Sequence, residues 1–197
     1  LGQAPAADHV ERQSHMSTSV TLLPNIGAEF RAPLGNGTIQ FGDDRSAVCA
    51  VLGDPEPQVE EHRLTFAGAS VQVHLGRTGV EFIEFHTNPH SNGVEVELNG
   101  KNLSQLGVAD CTEYLRDCNK LEAVDDSEAP AAWVFKGIGL TVWQPYAFED
   151  AQEDLNHATQ AGEIAPEELQ YLRDEVARAA HFESIGIGSP EYMESYF

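Results

Sequence analysis

Residues 71–76 (VQVHLG), 79–86 (GVEFIEFH) and 94–100 (VEVELNG) decide the fold. Val94, Val96 and Leu98 alternate with Glu95 and Glu97. A period of two puts the aliphatic residues on one face of a strand and the carboxylates on the other. Asn99-Gly100 then supplies the residues that a tight hairpin turn prefers. Upstream, alternation around Val71, Val73 and Leu75 leads into a turn at Arg77-Thr78-Gly79. A second β-rich run follows, carrying Val80, Phe82 or Ile83, and Phe85.

The flanking segments change period. Asp43 or Asp44 caps a short helix in DDRSAVCAVLGDPEP, with Val48, Val51 and Leu52 on one side. Gly53 and Pro55 stop it. A second helix is expected over VADCTEYLRDC (108–118), and a third opens at Pro166 with Glu167 and Glu168 in its first turn. WVFKGIGLTVWQP (133–145) reads as strand with a bend at Gly137–Gly139, and a last strand is expected over Phe182–Ile187. The acidic stretch 148–166 reads as weakly structured. These elements predict an α+β class: antiparallel sheets covered by two or three helices. Helix followed by strands occurs over 38–98 and again over 100–187, so two tandem αβ half-repeats within a single domain, 16–197, are one reading. Residues 1–15 read as a disordered leader appended by cloning, with the domain starting at Met16. A natural disordered arm is the alternative.

Composition narrows the function classes. The chain has 197 residues with 32 Asp+Glu against 11 Lys+Arg, a formal net charge of −21. That balance argues against nucleic acid, whose backbone is bound through clustered Lys and Arg, and against an anionic membrane surface. No apolar run reaches the roughly 18 residues of a membrane span. Cys49, Cys111 and Cys118 make no disulfide framework and no zinc pattern; they read as small core residues in a reducing cytoplasm. No motif calls for a cofactor.

The string IQFGDDRSAVCAVLGDPEP (39–57), followed by strands ending GVEFIEFH, resembles small bacterial αβ modules. These are found in outer-membrane assembly lipoproteins, tandem-repeat β-lactamase inhibitors and immunity proteins of toxin systems. GIGLTVWQP and FESIGIGSPEYM are similar to the tail of predicted immunity-type proteins. The resemblance implies a non-catalytic cytoplasmic inhibitor whose partner is another protein.

Charge placement points the same way. Glu122, Asp125, Asp126, Glu128, Glu149, Asp150, Glu153 and Asp154 fall in a span whose only basic residue is Lys136. Gathered on one side, they would steer a basic partner; spread out, they would only solubilise. Trp143 and Tyr146, beside Pro145, are candidate anchors, with core packing as the competing role. The expected partner-binding set is therefore Asp125, Asp126, Glu128, Trp143, Tyr146, Glu149, Asp150, Glu153 and Asp154, and the expected partner is a basic toxin or hydrolase. One alternative is a metal-dependent hydrolase using Glu84, His86 and His90 in EFHTNPH, where a carboxylate and two imidazoles could ligate a divalent ion. Polar residues around a turn explain the same string. Another alternative is a self-associating structural module.

Overall fold

The alternating runs become strands in the computed structural model, which describes residues 19–57, 60–87, 93–120, 122–162 and 164–196. In chain order the first strands are β1 (Ser19–Leu23), β2 (Gly27–Phe30) and β3 (Gly37–Gln40), followed by helix α1 (Arg45–Leu52). A meander comes next: β4 (Arg63–Phe66), β5 (Val71–Gly76) and β6 (Gly79–His86). Then β7 (Glu95–Leu98) and β8 (Lys101–Asn102) precede helix α2 (Val108–Cys118). The next strands are β9 (Val124–Asp125), β10 (Ala132–Phe135) and β11 (Leu140–Trp143). Helices α3 (Phe148–Ala161) and α4 (Pro166–Ala179), strand β12 (Ser184–Gly188) and helix α5 (Pro190–Tyr196) complete the order.

The class is α+β, and the strands form two sheets. The smaller has the order β3-β2-β1-β7-β8 and is antiparallel except where β1 runs parallel to β7. The larger has the order β4-β5-β6-β12-β11-β10-β9 and is antiparallel throughout. Each of the stretches 38–98 and 100–187 supplies a helix followed by a meander, yet both meanders share this one sheet.

Alternation decides which face is dry. Val71, Val73, Ile83, Phe85, Ile185, Ile187, Leu140, Val142 and Phe135 are all buried in one cluster with Val20, Leu22, Phe30 and Ile39 of the smaller sheet. Phe30 and Phe85 meet across the two sheets at 6.0 Å between ring centroids. Burying each such ring stabilises the fold by roughly 1.5–3 kcal/mol. The Asn99-Gly100 turn has φ of 51° and 77°, the left-handed pair a two-residue hairpin needs.

Three helices pack on the sheets. Asp44 caps α1, accepting from the Ala47 N–H at 2.9 Å, and Val48 enters the core. Cys111 and Leu115 carry α2 into the same core. Helix α5 covers part of the larger sheet's outer face, where Tyr192 stacks on Phe82 at 4.9 Å.

One local expectation is corrected. Residues 148–161 are helical, not weakly structured. Phe148, Ala151 and Leu155 give a thin apolar stripe, α4 packs alongside, and Gly162 at φ 72° ends the helix. The signal is weak because the stripe is narrow and the exposed faces are acidic.

Candidate functional site

A groove of about 650 Å³ lies between the start of α2, the start of α3 and the residues flanking β10. Its apolar wall comes from Val108, Ala109, Pro130, Trp133 and Phe148. Trp133 is on the inner face of β10, held edge-on against Phe182 at 5.4 Å. The Val108 N–H donates to the Ala180 carbonyl at 3.0 Å, tying the first turn of α2 to the segment after α4.

Gln144 also lines the groove and is 1% exposed. Its Nε2 donates to the Pro130 carbonyl at 2.8 Å. A carbonyl can only accept, so this bond fixes which end of the amide is which. Oε1 is left buried with no hydrogen-bond partner among the described residues. Such an acceptor is costly to leave unpaired.

The exposed edge of the groove is acidic. Asp110, Glu113 and Glu149 line it, and each is exposed. Arg116 lines it too, but its Nη2 lies 3.3 Å from Asp126 Oδ2. Asp126 sits in the loop between β9 and β10, so that loop and α3 contribute carboxylates to the surroundings of one groove.

The expected binding residues therefore divide. Asp126 and Glu149 flank the groove. Glu153, one turn beyond Glu149, shares its side of α3 and lies 3.8 Å from His157. Glu128 is exposed in the loop that leads to Pro130. Asp125 pairs with Val134 on the outer side of the sheet. The Ser127 hydroxyl and then its backbone N–H, at 3.1 Å, hold the Asp125 carboxyl below its usual range.

Asp150 and Asp154 face another way, toward Tyr146. The Tyr146 hydroxyl donates to the Asp154 carboxylate. That bond, followed by desolvation and the charges of Asp154, Asp150 and Glu175, pushes the phenol up to about 12. Tyr146 also lines a cleft with residues of both α3 and α4, which occupies it at the helix pair. Trp143 is 42% exposed but pairs with Ala132, whereas Trp133 pairs with Val142. Trp143 therefore stands on the opposite face of the sheet from the groove wall.

Glu84 and His86 share the outer face of β6, and the His86 ring lies 3.2 Å from Gln72 Nε2. His90 lies outside the described residues. Among the described residues no group of three or more His, Cys, Asp or Glu side chains is placed to hold a metal ion. No described helix is long and apolar enough to cross a membrane.

Sequence reasoning missed Gln144 and the first turn of α2; Phe148 belongs to the aromatic concentration around Pro145, whose role as core or interface the sequence leaves open. Gln144 follows an exposed Trp and precedes a Pro, so nothing local marks it as buried. Compared with known proteins, the chain matches no family model, no curated protein and no solved structure.

Proposed function

We propose that the chain is a non-catalytic acidic binding protein that neutralises a basic protein partner by covering its working surface. An immunity protein or inhibitor of a bacterial toxin, acting in the cytoplasm, is the most concrete form of this reading. One observation carries it: an apolar groove with a buried unpaired acceptor is edged by Asp110, Glu113 and Glu149, while its neighbour Arg116 is occupied by Asp126. Apolar lining with few polar groups supplies a site's affinity, and the surrounding carboxylates supply steering. The formal charge of −21 extends that field over the whole molecule.

The test is capture from native lysate at low and high salt, followed by carboxylate-to-amine cross-linking of the complex. The expected result is a basic protein, released by salt, with cross-links from Glu113, Glu149 or Asp126 to its lysines. A captured partner that is acidic, or cross-links confined to other surfaces, overturns the reading.

A further inference from the structure

Helices α3 and α4 pack on each other and bury little. Among the described residues of the pair, only Ala151 of α3 and Ala179 of α4 are buried. Leu155, Leu169, Leu172 and Val176 stay half-buried, and Tyr171 is 58% exposed. An apolar stripe on a helix ordinarily closes against a further element. Here a cleft of about 400 Å³ follows the pair instead, and it shares no lining residue with the groove. Tyr146, Ala151, Tyr171 and Leu172 line it together with the carboxylates of Asp154 and Glu175.

Two features choose what fits the cleft. The first is charge. Residues 148–179 carry nine Asp and Glu against Arg173 and Arg178, and Arg178 is already held by Glu175. The charges of Asp154, Asp150 and Glu175 all bear on the Tyr146 hydroxyl, so they converge on this cleft. A second copy of the chain would bring the same excess and be repelled, whereas a cationic segment is attracted. The second feature is backbone. Ala151, Asp154, Tyr171, Leu172 and Glu175 lie within helices, whose peptide groups bond to one another. An extended segment laid there finds no backbone partner for its own N–H and C=O groups, and burying them unpaired is costly. A helix arrives with those groups already paired.

We infer that the α3–α4 cleft docks a cationic amphipathic helix of a protein partner, which completes a three-helix bundle. The incoming helix sets apolar residues at i, i+3 and i+7 against Ala151, Tyr171 and Leu172, and its Lys or Arg against Asp150 and Asp154. Each helix of the pair has 14 residues, about 21 Å, which matches a guest of about four turns. This surface is additional to the groove and stands or falls without it.

The probe is the peptide Lys-Leu-Ala-Lys-Leu-Ala-Lys repeated in tandem, acetylated and amidated, which is amphipathic when helical. Its control has the same sequence with alternate residues of D configuration, which keeps the charge and prevents the helix. Binding to the full chain is read by calorimetry and by backbone amide shifts at about 150 mM salt. The helical peptide should bind about tenfold or more tightly than the control and shift amides of residues 146–158 and 169–178. Tyr171→Ala, at an exposed position, should weaken it about tenfold. Replacing Asp150 and Asp154 together by Asn should flatten its salt dependence. Equal binding of the two peptides, no binding of either, shifts confined to residues 107–116, or no effect of Tyr171→Ala overturns the inference. The two readings fail separately. A basic protein cross-linked at the groove, with no preference for the helical peptide, removes the helix dock alone. Peptide docking on α3 and α4 with no basic protein captured removes the proposed function alone.

Discussion

Arg116 Nη2 lies 3.3 Å from Asp126 Oδ2, and this pair joins α2 to the loop between β9 and β10 at the edge of the groove. Both side chains are about half exposed, at 47% and 56%. Exposed pairs contribute ~0–1 kcal/mol, so the pair does little for stability. Its effect is on the field: it cancels a guanidinium where a basic partner is expected. Asp126→Asn should leave the melting temperature nearly unchanged, slow association with the captured partner and flatten its salt dependence. Stopped-flow rates over a salt series check this.

Phe148 lines the groove, whereas Trp143 stands on the outer face of the sheet. Phe148→Ala should speed dissociation of the partner, because it removes part of the apolar wall. Trp143→Ala should leave the dissociation rate unchanged. The reverse pattern would move the binding surface to the outer face.

Tyr146 titrates at about 12, above its ordinary 10.0, chiefly through its hydrogen bond to Asp154. A raised folded value means that the contribution to stability is complete below pH 10 and is lost as pH rises through about 12. Asp154→Asn should bring the phenol back toward its ordinary value. Ultraviolet titration of tyrosinate, with Tyr146→Phe as the assignment control, measures the change.

His74 titrates below its ordinary 6.5, mainly because burial disfavours the imidazolium; Glu84 opposes that effect, Arg63 adds to it and Glu60 opposes it. Its Nε2 has no hydrogen-bond partner among the described residues. The depressed value makes the unfolded chain bind the proton more readily, so stability falls as pH drops below 6.5 toward the folded value. Glu84→Gln should lower the His74 value further. Imidazole proton shifts across a pH series test the direction.

Gly186→Ala should destabilise the fold by about 1–3 kcal/mol, as overpacking does. A Cβ there would lie 2.2 Å from Phe82 Cζ and 2.6 Å from Thr141 Oγ1, on the face that α5 covers. Urea denaturation gives the difference directly.

The strands were legible where one face is wet. Val94, Val96 and Leu98 alternate with glutamates, and the Asn99-Gly100 turn carries its own signature. Helices α1, α2 and α4 announced themselves through Asp44, the Val108–Leu115 stripe and Pro166. Helix α5 was missed although Ser189-Pro190-Glu191 is a start signal; the Tyr192 N–H donates to Ser189 Oγ at 3.1 Å. The site was legible only in its charge. Asp126 and Glu149 come together around a groove whose wall is built by Val108, Pro130 and Trp133, distant in sequence, and no local pattern encodes that meeting. The strand face that carries Trp143 depends on its register with Ala132, which a sequence of short strands leaves open.

Strand β12 sits between β6 and β11 and bonds to both, at Ile185↔Phe85 and Val142↔Ile185. During synthesis, residues 63–143 leave the ribosome well before it does. Until Gly188 emerges, β6 and β11 lack the strand that joins them, and each would offer a bare edge to a neighbour. A message cut short before that point would therefore yield two sticky half-sheets, not a smaller version of the same protein.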